Sequence, residues 1–406
     1  MKYGLIFFLL LYINICTAQK TGEYRGTLLR ADGNHIGFDF DMVTKSGKTV
    51  WYIINGEEKI LVDDIIVKGD SMFVNMPIYE SQFKIKINDS TNLQGAWGKA
   101  TRGKTMLMPF VANKRGVYTS YDPRLLLNQG ITGTWKVDFT DVENIKTPAV
   151  GVFAQYGFYI TGTFLTPTGD YRFLSGVVDN EKIYLYSFDG ARALFFYGRI
   201  KDTNTIIDGH FYSGDTYKET WVAIRDSNAT PHPELSAAFV KPNSGPLNFS
   251  FKNTDGISVS IKDKHYKNRV VIIQILGSWC PNCIDETAFL TEYYNANKSR
   301  GVEVIGLAYE YSADMGRCMK NLRKLKLRLN VPYELLITGV AVGDTMRTEK
   351  TLPQITKIKM FPTTIIVDKK GNIRKIDTGF YGPGTGEYYE KYKMEFAELM
   401  DSLLGE

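Results

Sequence analysis

Cys280-Pro281-Asn282-Cys283 sets two cysteines apart by two residues, in a chain of 406 residues that has four cysteines. Such a pair could exchange electrons as a dithiol and a disulfide, supply half of a zinc site, or act as a structural staple. A structural zinc site needs two further ligands. No second CxxC occurs, and His35, His210, His232 and His265 show no metal spacing, so no metal is expected. A staple across so short a loop constrains little of the unfolded chain. Redox exchange fits better. A thiolate is the nucleophile in that chemistry, and a helix N-terminus favours it through unpaired N–H groups and the positive dipole end. Pro281 suits a first helical turn, where its missing N–H would have no partner. Cys283 would then lie close enough to resolve a mixed disulfide.

The elements around the pair support that placement. Val270–Leu276 is an unbroken apolar run, as expected of a strand buried on both faces, and a helix is expected from Pro281 to Lys298. Val302–Tyr309 reads as a second buried strand. Residues 315–329 read as a helix with Met315, Cys318, Met319, Leu322, Leu325 and Leu329 along one stripe, which makes Cys318 a buried free thiol. Thr363–Asp368 and Asn372–Ile376 read as a hairpin, and a last helix is expected over Glu387–Leu404. Strands alternating with helices imply an α/β domain over 247–406, with a mainly parallel sheet.

Upstream the pattern differs. Residues 19–225 carry short aromatic and β-branched runs separated by turn signals such as Asn55-Gly56, Asp179-Asn180 and Asp189-Gly190, so an all-β barrel or sandwich is expected. Gly95-Ala96-Trp97 and Gly133-Thr134-Trp135 share a pattern, consistent with two halves near 19–115 and 130–225. Residues 226–246 hold four prolines among small polar residues and read as an exposed linker.

The N-terminus predicts export. Lys2 precedes an apolar run from Leu5 to Ile15, too short to span a bilayer, and Cys16-Thr17-Ala18 offers a cut after Ala18. Residues 1–18 are therefore expected to be a signal peptide, and the protein to be periplasmic or in the cell envelope. A lipid anchor at Cys16 is disfavoured by bulky Ile15, and an uncleaved anchor is the third option. Loss of Cys16 leaves three cysteines, which fits one redox pair and one spare thiol. Composition is ordinary for a soluble globular chain, at 44% hydrophobic and 23% charged, and a net charge of +5 gives no reason to invoke nucleic acid.

From Trp279-Cys280-Pro281-Asn282-Cys283, the strand Val270–Leu276, Phe361-Pro362-Thr363-Thr364 and the turn Asp368-Lys369-Lys370-Gly371, residues 247–404 resemble the extracytoplasmic thioredoxin-like disulfide reductases of the TlpA and ResA type. The resemblance implies a thioredoxin-like fold without a cofactor, protein disulfides or dithiols as substrates, and a membrane electron donor. It makes Cys280 the attacking thiolate and Cys283 the resolving thiol. Pro362 would be a cis proline facing them and presenting Phe361 to a substrate strand, with Thr363, Pro281 and Asn282 along the groove. Trp279 would cover the motif. Gln274 stands where thioredoxins proper carry a buried Asp. Glu286 falls on the family's acidic position, which tunes the thiols; its plain alternative is a first-turn Glu that stabilises the helix dipole, and the neighbouring Asp285 competes for the role. The chain departs from the family in Gln274-Ile275-Leu276-Gly277-Ser278, where aromatic residues are usual, and in the long segment 335–360, which has room for an extra helix. Two other functions stay open at this level: a peroxiredoxin-like peroxidase, whose hydroxyl approach residues 274–280 lack, and an envelope ligand-binding β protein with an accessory thioredoxin domain.

Overall fold

The computed structural model of the chain describes residues 21–87, 92–114 and 127–406. The expected signal peptide, with Cys16, lies outside them.

The first nine strands form one antiparallel sheet: β1 (Gly22–Leu29), β2 (His35–Lys45), β3 (Lys48–Asn55), β4 (Glu58–Val62), β5 (Asp64–Lys68), β6 (Ser71–Asn75), β7 (Ser81–Ile87), β8 (Asn92–Ala100) and β9 (Thr105–Lys114). β1 pairs with β9, so the curled sheet runs from β4 through β1 and β9 to β5. Inward alternation places Phe38, Phe40, Trp51, Phe83, Trp97 and Phe110 on the concave face, where every second residue of a strand must point.

The second sheet comprises β10 (Leu127–Thr140), β11 (Lys146–Tyr156), β12 (Tyr159–Thr166), β13 (Gly169–Asp170), β14 (Leu174–Asp179), β15 (Lys182–Phe188), β16 (Ala193–Asp202), β17 (Thr205–Ser213) and β18 (Tyr217–Arg225). β11 pairs with both β10 and β12, and β18 pairs with β10, so the sheet closes into a barrel with short β13 appended to β12. Closure removes the sheet edges. Aromatic side chains fill the interior: Phe164 stacks on Phe196 at 4.7 Å and Phe196 on Phe211 at 4.2 Å, while Trp135 and Trp221 are fully buried. The all-β reading of this region is therefore correct.

The third unit has β19 (Ser250–Asn253), β20 (Ser258–Ser260), β21 (Val270–Leu276), α1 (Pro281–Asn297), β22 (Val302–Ala308), α2 (Met315–Arg328), β23 (Glu334–Ile337), α3 (Arg347–Thr351), β24 (Thr363–Val367), β25 (Ile373–Thr378) and α4 (Glu387–Gly405). It is a thioredoxin-like α/β sheet in the order β20-β19-β23-β22-β21-β24-β25. The sheet is mixed, and this corrects the expectation of a mainly parallel one: only β21–β22 and β22–β23 run parallel, whereas the pairings of β19, β20, β24 and β25 are antiparallel. Every residue of β21, β22 and β24 is buried, as a central strand covered by helices on both faces requires. The extra helix expected in 335–360 amounts to the single turn and a half of α3, beside the strand β23.

Residues 226–246 do not hang free between the units. Val240 bridges to Ile355, Phe239 N–H donates to Thr356 Oγ1 at 2.8 Å, and Lys241 pairs with Glu349 at 2.8 Å. The proline-rich stretch is thus laid along the α/β unit.

Candidate active site

β21 delivers the chain to the motif, and α1 begins there. Cys280 is the N-cap of α1, in an extended conformation, and Pro281 takes the first helical position. Cys283 N–H points at Cys280 Sγ at 3.2 Å, so the sulfur sits where an anion would be met by the helix's unpaired donors. Cys280 and Cys283 are joined in a disulfide with a Cα–Cα distance of 5.2 Å. Cys283 is fully buried and Cys280 is 5% exposed.

The loop before β24 faces the pair. The Phe361–Pro362 peptide is cis. Cys280 Sγ lies 3.6 Å from the Phe361 carbonyl oxygen, so the two segments meet at that sulfur. Trp279 donates its indole N–H to the Tyr309 carbonyl at 2.9 Å, stacks on Tyr311 at 5.1 Å and meets the Phe361 ring edge-on at 5.5 Å. These contacts fix the tryptophan as a wall beside the motif. Thr363 is buried and donates to the Met360 carbonyl at 3.0 Å, holding the turn that carries Pro362.

Beneath the disulfide lies a buried polar cluster. Gln274 Nε2 donates to the Cys283 carbonyl at 3.1 Å and to Glu286 Oε2 at 2.9 Å. Thr364 Oγ1 donates to Glu286 Oε1 at 2.6 Å, and Thr287 Oγ1 lies 3.0 Å from Gln274 Oε1. Gln274 and Glu286 are thus one hydrogen-bonded pair, one helical turn below Cys283. Burial pushes the Glu286 carboxyl up to about 7, against the opposing pull of the bonds from Thr364 and Gln274. Asp285 does not share this place: it faces the barrel and pairs with Arg172, at 2.6 Å.

Several groups at the site had no signal in the motif. Glu310 is buried and accepts from Ser278 N–H at 2.9 Å and Ser278 Oγ at 2.7 Å; burial raises its carboxyl. More consequential is the β barrel, whose turns reach the motif. Asn282 Nδ2 donates to the Asp170 carbonyl at 3.0 Å, and Arg192 Nη1 donates to Asn282 Oδ1 at 3.1 Å. Asp170 Oδ2 accepts from Gly382 N–H at 2.6 Å. Arg172 Nη2 also pairs with Glu58 of the first sheet at 2.6 Å. Asp189-Gly190 signals only a hairpin turn in sequence, and nothing there shows that the turn docks on a site some ninety residues on, as Arg192 and Asn282 do. Glycine permits the approach at two points: a Cβ on Gly169 would stand 2.9 Å from Asn282 Nδ2, and one on Gly384 would stand 2.8 Å from the Arg172 backbone. Cys318 is a buried free thiol, pushed up to about 11 chiefly by burial, with its sulfur 3.1 Å from the Ser312 carbonyl.

A cysteine pair at the start of a helix on a thioredoxin-like sheet, with a cis proline opposite, defines a thiol–disulfide oxidoreductase domain. Residues 241–390 match the Redoxin family. The ResA thiol-disulfide oxidoreductase of Bacillus thuringiensis subsp. konkukian is 28% identical over 148 residues, which cover 36% of this chain and 72% of that protein. ResA of Bacillus subtilis is 22% identical over 140 residues, 34% of this chain and 69% of that protein. Among solved structures, StoA of Bacillus subtilis covers 37% of this chain and 97% of its own, at 20% identity and a TM-score of 0.27. The C-terminal unit therefore carries a Redoxin domain, and the all-β region lies outside the residues of that family match.

Proposed function

We propose that this protein works outside the cytoplasm as a reductant of protein disulfides, with Cys280 as attacking thiolate and Cys283 as resolving thiol. The observation that carries the reading is Cys280 at the N-cap of α1, with Cys283 N–H aimed at its sulfur and Phe361–Pro362 opposite. The reduced Cys280 thiolate attacks one sulfur of the substrate disulfide, and the other sulfur leaves as a thiolate and takes up a proton. Cys283 then gives up its proton and attacks Cys280 Sγ; the substrate's second thiol departs, and the Cys280–Cys283 disulfide forms. Glu286, held near neutrality by burial, is the carboxylate one turn from Cys283 suited to accept that proton. Phe361, Pro362 and Thr363, with Pro281, Asn282 and Trp279, line the approach of the substrate strand. Turnover as a reductant requires an exported chain and a dithiol donor at the membrane that regenerates the cysteines.

Replacing Cys283 by serine leaves the mixed disulfide unresolved. C283S expressed in its native envelope should accumulate covalent adducts that thiol reagents release, while the C280S/C283S double variant should not. Equal adducts from both variants, or no protein disulfide reduced by the wild type, would sink the reading. The same preparations given hydrogen peroxide separate it from a peroxidase.

A further inference from the structure

The residues between the two cysteines are held by another part of the molecule. Asn282 is buried, and its amide is engaged from outside the Redoxin domain: its oxygen accepts from Arg192 Nη1 at 3.1 Å, and its nitrogen donates to the Asp170 carbonyl at 3.0 Å. A third contact, to the Phe380 carbonyl at 3.3 Å, comes from its own domain. Arg192 is itself fixed. Its Nε donates to Asp189 Oδ2 at 3.2 Å, Asp189 Oδ1 receives Arg192 N–H at 2.6 Å, and Nη1 also reaches the Asp170 carbonyl at 3.3 Å. One guanidinium nitrogen, Nη2, is buried with no hydrogen-bond partner among the described residues. A buried N–H left unpaired is costly, and a charged one more so. The group therefore has donor capacity to spare beside the motif.

We propose that Arg192 of the β barrel is a positioning residue for the dithiol: through Asn282 it sets the Cys280–Cys283 loop, and its positive charge at the start of α1 favours the reduced form. This rests on the dithiol reading above. The reduction is Cys280–Cys283 disulfide plus two glutathione thiols, giving the dithiol and one glutathione disulfide, so electrons and protons balance without another reactant. Reduction creates a thiolate at Cys280, and a fixed cation near it stabilises that product and not the neutral disulfide. Other charges surround the loop. Asp170, Asp189 and Asp285 are anionic neighbours; Arg172 is committed to Asp285 and Glu58, and Lys99 to the Ala191 carbonyl. Loss of Arg192 would leave Asp189 with Arg172, at 3.8 Å, as its remaining cation, so the lost cation and the less-compensated anion act in one direction.

The full-length protein is equilibrated with glutathione buffers of known ratio and the dithiol fraction is read by alkylation. Arg192→Gln should lower the equilibrium constant for reduction about tenfold, a midpoint roughly 30 mV more negative. Arg192→Lys keeps the charge and should stay within about threefold of wild type. In an Asn282→Ala background the Arg192→Gln effect should shrink, because the connection is already cut. A folded R192Q with a wild-type equilibrium constant overturns the proposal, as does an R192Q effect undiminished by N282A. Should R192Q not fold, N282A carries the test, since it leaves the Arg192–Asp189 pair in place: an unchanged constant there overturns the proposal. A wild type that exchanges normally with glutathione but reduces no protein disulfide sinks the reductant reading and leaves this one standing.

Discussion

Glu286 is a carboxylate through which pH acts on the folded site, beside Asp170, which burial raises to about 6, and Glu310, which burial also raises. Burial raises Glu286 from 4.5 to about 7. In the unfolded chain the same group ionises near its ordinary value, so its contribution to stability is fully present below that value. That contribution is lost as pH rises through about 7, because the folded state must then hold a buried charge. Glu286→Gln removes the titration and keeps a polar group between Gln274 and Thr364. The variant should be more stable than wild type at pH 8 by roughly 3 kcal/mol, and equal to it near pH 4. Urea midpoints at several pH values check this; parallel wild-type and variant curves would show that the carboxyl is not held protonated. The same substitution should slow resolution of the mixed disulfide, which separates the proton acceptor from a residue that only caps a helix. At this scale much of the site was legible. Cys280, Cys283, Trp279, Gln274 and Glu286 stand in or beside the motif because a CxxC at a strand-to-helix junction fixes its near neighbours along the chain, whereas Pro362, far off in sequence, was legible only through the family resemblance. Sequence alone does not separate Asp285 from Glu286; the structure gives them different partners, since adjacent helical residues differ by about 100° in direction.

Among the elements, the closed barrel β10–β18 rests on an aromatic interior and not on its hydrogen-bonded rim alone. Phe196 stacks on both Phe164 and Phe211 and is fully buried. Phe196→Ala should cost about 3–5 kcal/mol, because the surrounding rings cannot collapse into the space. Thermal unfolding followed by aromatic circular dichroism would read this as a lowered first transition, with the α/β unit melting later; one unshifted transition would contradict it. The alternation of inward residues made these strands visible in the sequence. Strand order was not visible. The mixed sheet of the α/β unit arises because β24 pairs antiparallel with β21 after a segment whose α3 is too short for a full crossover. Nor did proline content reveal that residues 226–246 lie against the α/β unit, since docking depends on partners such as Glu349 and Thr356, far away in sequence.

At the scale of the molecule, three units converge on one ion cluster. Glu58 comes from the first sheet, Arg172 from the barrel and Asp285 from α1, two residues after Cys283; Arg172 reaches both carboxylates at 2.6 Å. Arg172 holds a left-handed backbone conformation with φ of 58°, an arrangement that persists where surrounding contacts over-determine it. Phe188, Ala191 and Ala193 of the barrel share a hydrophobic cluster with Cys280 and Cys283. The barrel therefore shares a core with the motif as well as bonding to it through Asn282, and Cys280 is only 5% exposed. With Cys280 so little exposed and Asn282 held by the barrel, opening of this interface should precede reaction with large partners. Arg172→Ala leaves Glu58 and Asp285 buried without their cation, and breaking a buried pair in this way costs about 3–5 kcal/mol. If opening and closing are fast relative to attack, alkylation of reduced Cys280 tracks the open population. The rate for iodoacetamide in the full-length variant should then rise on the order of a hundredfold to a thousandfold over wild type. A small reagent and a protein disulfide should also differ: wild type should discriminate strongly against the protein, and R172A much less. An unchanged alkylation rate in a variant whose interface is shown to be weakened would mean that Cys280 is reached from the closed assembly, and that the β units select substrates by fit instead of by opening.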